Sequence, residues 1–200
     1  RRSLRCERGS VCQLVSDRDV VEWHVFETEV GLPEDIRQDG GVFSGRNSIK
    51  ISWAVPAKGG ASDGRFWAFF PLEKEDMSLK GILNAPWKLN DDRSNILPGR
   101  FTTYLLERAV ELVFRSLPVL VDGTDPGKIL EMYPARLDER RGTDLLLTQQ
   151  FYRQARYVAT VPNTHGTLCN IADLNLHPRE LTPNAIQEWL RAPDIPANWA

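Results

Sequence analysis

Cysteine and histidine are both scarce in this sequence, which has three of each among 200 residues. The cysteines are Cys6, Cys12 and Cys169. An odd number without paired spacing matches neither a disulfide framework nor a common zinc site, and cytosolic thiols usually stay reduced. We therefore expect no structural disulfide and no metal site, and we expect the protein to be cytoplasmic.

Long apolar runs and an excess of one charge are missing as well. No stretch approaches the ~18 consecutive apolar residues of a membrane span, and the first residues, RRSLRCERGSVCQLV, are too polar for a signal peptide. A formal net charge of -2 argues against a general polyanion binder, because nucleic-acid affinity depends largely on basic residues that neutralise phosphates. Since the chain begins at Arg1 rather than Met, we expect this start to be either a processing site or a boundary within a longer protein.

The remaining composition is that of a globular protein, 42% hydrophobic and 26% charged, enough for one or two domains. Residues 48–55 alternate polar and apolar side chains, which predicts a strand. Its buried face should carry Ile49, Ile51, Trp53 and Val55. β-Branched and aromatic residues predict further strands at 11–15, 19–26, 65–70 and 80–86. The strand at 65–70 is expected to form a hairpin with residues 48–55, followed by a charged turn, and residues 31–47 are expected to be an irregular loop.

Helices dominate the second half of the sequence. Apolar residues recur at steps of three and four over residues 101–116, which predicts a helix ending at Pro118. Shorter helices are predicted at 128–132, 143–155 and 183–190, the last with Thr182 as N-cap, and a strand at 156–161. The breaker-rich residues 122–127 mark a boundary. We expect an α/β (α+β) fold, with a mixed sheet and packed helix in residues 1–121 and a smaller, mainly helical segment in residues 122–200.

Two sequence segments carry a family resemblance. Residues 69–72 read FFPL, and residues 81–96 read GILNAPWKLNDDRSNI, directly before the predicted long helix. This order resembles the segment that follows the ATP-binding domain in sacsin-like proteins and in bacterial ATPases related to the ninety-kilodalton heat-shock chaperones, all members of the GHKL superfamily. The resemblance covers residues 48–117 well and the rest weakly.

The resemblance implies a transducer domain that lies against a Bergerat-fold nucleotide domain and reports whether ATP is bound. In the family, a basic residue of this domain reaches the γ-phosphate, and the matching position is Arg93, the candidate catalytic and ATP-binding residue. A guanidinium suits this role because it donates two parallel, charge-assisted hydrogen bonds to phosphate oxygens. Lys88 is a second candidate for binding the phosphates.

Each of these residues also has an ordinary structural interpretation. Arg93 could form a surface ion pair with Asp91 or Asp92, and Lys88 could lay its aliphatic stem along the ring of Trp87. Trp87 itself is better interpreted as a packing anchor than as a ligand-stacking ring. Asn84, Asn90 and Asn95 could bind phosphate, but asparagine is equally the normal residue of turns and caps.

The ATP site itself is missing from this sequence. The superfamily places Glu and Asn on a helix for water and magnesium and uses an Asp-x-Gly-x-Gly turn for adenine, and residues 122–127 have Asp and Gly at the wrong spacing. We therefore expect no catalysis by this chain alone, with ATP and Mg bound in a domain that precedes Arg1 in an ATP-hydrolysing parent protein. The expected partners are that preceding domain and a second copy in a homodimer, with no membrane partner and the client protein unidentified.

Other candidate sites are weaker. His24, His165 or His177 could pair with Asp173 or Glu180 as a hydrolytic base, but no nucleophile motif accompanies them. His165, Cys169 and His177 lack a fourth zinc ligand. The glycine-rich residues 40–45 lack the lysine of a phosphate-binding P-loop. The rival to the transducer hypothesis is a nucleotide-independent module whose exposed loops, at residues 31–47 and around Trp87, bind a protein or a nucleic acid.

Overall fold

A computed structural model describes residues 3–6, 11–15, 20–57, 63–135, 140–175, 180–191 and 199. The chain divides into two compact units. The first comprises Arg1–Val113 and Met132–Phe151, and the second comprises Phe114–Glu131 and Tyr152–Ala200. The sequence predicted one break near residue 122. The structure instead has two discontinuous units, and residues 132–151 belong with the first.

A seven-stranded mixed sheet organises the first unit. The strands are β1 Ser3–Cys6, β2 Val11–Val15, β3 Val20–Gly31, β4 Ser48–Pro56, β5 Gly64–Trp67, β6 Pro71–Met77 and β7 Ile82–Asn84. Their order in the sheet is β1-β2-β3-β4-β7-β5-β6, and every neighbouring pair is antiparallel except β5 and β7. The predicted α/β class with a mixed sheet is confirmed.

Strand β4 follows the alternation read from its sequence. Its four predicted inward residues are at most 3% exposed, because a strand with one buried face turns alternate side chains toward the core. Trp53 lies opposite Phe26 of β3, and their rings stack with centroids 5.8 Å apart. The indole Nε1 of Trp53 donates to the Lys80 carbonyl at 3.0 Å, so burial leaves no unpaired donor on this ring.

The predicted hairpin between residues 48–55 and 65–70 is wrong. Strand β7 lies between β4 and β5, and it reaches this place through Gly81 at φ +95°. A Cβ on Gly81 would lie 2.5 Å from the Ala54 carbonyl oxygen, so the approach requires glycine. The charged turn predicted after Pro71 is also wrong, because residues 71–77 form β6, the last strand in the order. Its charges hid the strand pattern, and charged residues are typical of strands at a sheet edge.

The loop predicted at residues 31–47 is wrong over most of its length. Strand β3 continues to Gly31, and helix α1 follows at Glu34–Asp39, with a 3-10 turn at Gly41–Phe43. Pro33 precedes α1, and its carbonyl accepts the Arg37 N–H at 2.9 Å. Only Ile36 is buried in this short helix, so the sequence carries no apolar periodicity from which the helix could be predicted.

The other helices lie close to their predicted positions. Helix α2 spans Arg100–Leu120 and continues through Pro118 instead of ending there. Helix α3 spans Gly142–Ala155, and α4 spans Pro183–Leu190, where Thr182 Oγ1 accepts the Ala185 N–H at 3.3 Å, as expected of its N-cap. Residues 128–132 lie in the 3-10 helix Pro126–Met132. Among the described residues, no helix is long and apolar enough to cross a bilayer.

The strand predicted at 156–161 is wrong, because residues 156–158 form a turn after α3. Within the described residues after α3, the strands are two residues long: β8 at Val161–Pro162 and β9 at Leu168–Cys169, which pair antiparallel in the second unit. Their short ladder is supplemented by Asn163 Oδ1, which accepts the N–H groups of His165 and Thr167. Asparagine satisfies turn amides in this way.

Helix α2 supplies the largest helical share of the core in the first unit. The residues of this unit that are completely buried on α2 are Phe101, Leu105, Leu106, Ala109, Val110 and Val113. They recur at steps of three and four, which is the amphipathic pattern that predicted the helix.

We predict that Leu105→Ala lowers the free energy of unfolding by about 2–5 kcal/mol, because it leaves a cavity in the core. Val119→Ala, at a position on the same helix that is 56% exposed, should change stability by less than about 0.5 kcal/mol. Urea denaturation of both variants measures this, and equal losses would contradict the assignment of the buried face.

Candidate functional site

A cavity of about 500 Å³ lies in the first unit beside the loop that follows β7. Three stretches line it: residues 41–43 after α1, residues 68–70 after β5, and residues from 86 to 93 after β7. Both residues predicted to bind phosphate, Arg93 and Lys88, are in the lining. The structure thus brings the sequence candidates together at one opening, with aromatic and aliphatic side chains around them.

The loop that carries Arg93 is closed on itself by hydrogen bonds. We call residues 88–97 the Arg93 loop. The Leu97 N–H donates to the Lys88 carbonyl at 2.8 Å, and Asn90 Oδ1 accepts the N–H groups of Ser94 and Asn95, each at 3.0 Å. The side chain of Asn90 therefore takes the place of a backbone acceptor and fixes a tight turn. The side-chain carbonyl of Asn90 is thus occupied by backbone N–H groups, as expected of an asparagine that serves a turn.

Arg93 has a left-handed backbone in the middle of this loop. Its φ is +56°, and its N–H donates to the Asn90 carbonyl at 3.0 Å. A non-glycine residue in this region costs about 1–2 kcal/mol, and such residues concentrate at functional sites. The side chain is exposed. Within the part of the chain that the structure describes, its guanidinium makes no hydrogen bond or ion pair.

The neighbouring aspartates do not neutralise Arg93. Asp92 Oδ1 accepts from both the N–H and the hydroxyl of Ser94, at 3.0 and 2.6 Å, and its other oxygen lies 3.7 Å from Lys74 Nζ. The bonds from Ser94, with a smaller contribution from the Lys74 charge, hold the pKa of Asp92 below its usual value. No ion pair joins Arg93 to Asp91 or Asp92 among the described residues, so the surface-pair interpretation of Arg93 is not what the structure has.

Lys88, the second cation of the lining, is engaged by the end of α1. Its Nζ donates to the Asp39 carbonyl at 2.9 Å and lies 3.7 Å from Asp39 Oδ1. Asp39 Oδ2 in turn accepts the Phe101 N–H at 3.1 Å, at the start of α2. This bond, followed by the charge of Lys88, holds the pKa of Asp39 below its ordinary value of 3.8. Sequence reasoning missed Asp39 because residues 31–47 looked irregular.

Exposed apolar side chains surround the cavity mouth. Val42 is 91% exposed and Phe69 is 72% exposed, and Phe70 lies beside them in the lining. Phe69 also has a left-handed backbone, φ +66°, and its N–H donates to Asn84 Oδ1 at 2.8 Å. A strained, exposed aromatic residue does not serve core packing. Clustered exposed apolar residues are typical of binding surfaces.

Trp87 is a packing anchor, as its sequence context indicated. It is 2% exposed, its Nε1 donates to the Trp67 carbonyl at 2.9 Å, and its ring meets Phe66 edge to face at 5.6 Å. A buried ring cannot present itself to a partner. The rival hypothesis therefore loses Trp87 as a contact residue and retains the exposed residues of the cavity mouth.

The remaining candidates are not assembled into a site. His24 lies on β3 and stacks on Phe26, His165 lies in an exposed turn of the second unit, and His177 falls outside the described residues. In the described part of the chain, no cluster of three or more His, Cys, Asp or Glu side chains could hold a metal. Asp122 accepts the N–H and hydroxyl of Thr124 at 2.8 and 2.7 Å, which fits the turn predicted there.

Comparison of the chain with protein-family models, with curated proteins and with solved structures finds no match in any of the three. The cavity and the residues that line it are therefore the structural features that bear on function.

We predict that Arg93→Gly leaves the free energy of unfolding unchanged or raises it by up to about 1 kcal/mol, because glycine adopts the left-handed backbone without strain. Arg93→Ala keeps the strain and should be close to the wild type in stability, since the guanidinium has no partner to lose among the described residues. Urea denaturation measures both variants. A loss above about 1 kcal/mol in Arg93→Gly would show that Arg93 stabilises the fold.

The lowered pKa of Asp39 predicts a pH dependence. A carboxylate with a depressed folded pKa contributes stability above its ordinary value of 3.8 and loses it as the pH falls through the lower folded value. The wild type should therefore have a larger free energy of unfolding than Asp39→Asn at neutral pH. This difference in free energy should disappear only below pH 3.8. Denaturation curves at several pH values measure the gap, with Asp91→Asn as the control for removing a charge from the cavity lining. A gap that does not change with pH would contradict this role.

Proposed function

We propose that this chain is the non-catalytic coupling (transducer) segment of a larger cytosolic ATPase, and that Arg93 contacts the γ-phosphate of ATP bound in a preceding nucleotide domain. The observation that carries the proposal is the state of Arg93. Its guanidinium is exposed beside a cavity, has no partner among the described residues, and is held on a strained, hydrogen-bonded loop. Resemblance to the GHKL transducer segment supplies the identity of the anion.

The chemistry of the residue suits this role. A guanidinium remains charged at any physiological pH and donates paired hydrogen bonds to phosphate oxygens. Because the loop already fixes the backbone of Arg93, less conformational entropy is lost when the side chain binds. Loss of the γ-phosphate would release this contact, and the contact therefore favours one domain arrangement over another. ATP and Mg belong to the preceding domain, with Lys88 as the weaker candidate for phosphate contact because Asp39 engages it.

A second candidate function is supported by the cavity mouth. Val42, Phe69 and Phe70 are exposed, apolar and close to one another in the lining, which favours a module that binds a protein independently of nucleotide. This second function does not require the Arg93 side chain. The two candidates are therefore separated by the effect of removing its charge.

We predict that Arg93→Ala lowers the rate of ATP hydrolysis by the full-length protein by about 10²-fold or more, the usual scale for losing a donor that stabilises developing charge. Arg93→Lys should recover part of the rate, because it restores the charge without the paired donors. Arg65→Ala removes an exposed arginine outside the cavity lining and is the control.

Two results would contradict the proposal. Unchanged hydrolysis in Arg93→Ala would favour the nucleotide-independent module. Tight ATP binding by this chain alone, measured by calorimetry, would show that the nucleotide site lies within these residues and that the division between the two domains is wrong.

A further inference from the structure

One carboxylate joins the Arg93 loop to the start of helix α2. Asp39 is the last residue of α1, and its two oxygens face different elements. Oδ1 lies 3.7 Å from the ammonium of Lys88, the first residue of the Arg93 loop, while Oδ2 accepts the Phe101 N–H at 3.1 Å. A single side chain thus contacts both the loop that carries Arg93 and the first turn of α2.

The contact on the loop side is made twice. Lys88 Nζ also donates to the Asp39 carbonyl, at 2.9 Å. Two residues after Asp39, Gly41 has φ +58°, and a Cβ added there would lie 3.6 Å from Lys88 Cε. The aliphatic stem of Lys88 therefore packs along this turn. The Lys88 carbonyl closes the Arg93 loop by accepting the Leu97 N–H. Displacing Lys88 therefore changes the base of the loop.

The contact on the helix side lies where backbone donors lack partners. The first N–H groups of a helix have no acceptor within the helix, and a carboxylate there is stabilised by both hydrogen bonding and the helix dipole. Gly40 packs against the Phe101 ring so closely that an added Cβ would lie 3.1 Å from its Cε2. The ring of Phe43 stacks on the same ring at 5.9 Å. Asp39 and its neighbours therefore fix the position of the first turn of α2.

We infer that Asp39, acting with Lys88, couples the conformation of the Arg93 loop to the N-terminus of α2. Asp39 is a positioning residue. A movement of the loop changes the contact between Lys88 and the Asp39 carboxylate, and this alters the strength of the hydrogen bond that the same carboxylate accepts from the Phe101 N–H. The coupling itself depends only on these contacts. Its use for reporting ATP depends on the function proposed above.

The test compares Lys88→Met, Lys88→Arg and Asp39→Asn by amide hydrogen exchange in the absence of nucleotide. Lys88 has no contact with the Phe101 N–H, yet Lys88→Met should speed exchange in the first turn of α2 by about two- to fivefold, the range for a partly exposed ion pair. Lys88→Arg should restore the slower exchange because it retains the charge. In the Asp39→Asn background, Lys88→Met should add less than it does in the wild type, since the ion pair is already lost and only the bond from Lys88 Nζ to the backbone carbonyl of residue 39 remains.

Lys74→Met is the matched control. It removes the ion pair between Lys74 of β6 and Asp92 of the same loop without touching Asp39. Exchange in α2 should stay at the wild-type rate. The inference is overturned if Lys88→Met speeds exchange only within residues 88–97, or if its effect on α2 is the same with and without the Asp39 carboxylate.

A second measurement separates this inference from the proposed function. Exchange in the first turn of α2 is followed in the full-length protein with and without a non-hydrolysable ATP analogue. If nucleotide changes nothing while the nucleotide-free variants behave as predicted, the coupling stands and the role in sensing ATP fails. If the nucleotide-free variants fail, the coupling is wrong whatever nucleotide does.

Discussion

The site depends on the hydrogen bonds that Asn90 Oδ1 accepts from the backbone of Ser94 and Asn95. They fold the chain back on itself and let the Lys88 carbonyl meet the Leu97 N–H. Arg93 lies within this turn and takes a backbone conformation that an arginine rarely adopts. A flexible loop would leave the backbone of Arg93 to sample many conformations, whereas this turn fixes that backbone beside the cavity.

The loop is supported on two sides by different chemistry. On one side β6 contributes Glu75, whose carboxylate accepts the Ile96 N–H at 2.6 Å, and Lys74, which pairs with Asp92. On the other side Lys88 meets Asp39. Partly exposed ion pairs of this kind contribute little to stability. Their importance is geometric, because they connect the loop that carries Arg93, a cation without a partner in the described part of the chain, to a strand edge and to a helix terminus.

Much of the framework could be predicted from the sequence. The alternation around Trp53 and the three- and four-residue steps of α2 are strong signals because one face of each element is buried. Arg93 and Lys88, the two candidates taken from residues 81–96, both line the cavity, and their contact with phosphate stays a prediction. Trp87 was correctly interpreted as buried, since its ring and its indole N–H both find partners in the core.

The rest depends on tertiary contacts that a linear pattern does not contain. The position of β7 between β4 and β5 follows from the close approach at Gly81, not from the order of strands along the chain. The charges of β6 hide its alternation, and α1 buries only Ile36. Asp39 gains its importance from Lys88 and Phe101, which are far away in sequence, and the exposure of Phe69 follows from the turn held by Asn84.

The most direct test of the central claim is a structure of the full-length protein with a non-hydrolysable ATP analogue bound. The account predicts that the Arg93 guanidinium lies about 2.7–2.9 Å from γ-phosphate oxygens, the distance of a charge-assisted hydrogen bond, with the Asn90 turn unchanged. A guanidinium that remains in solvent while the γ-phosphate is held by other residues would contradict it.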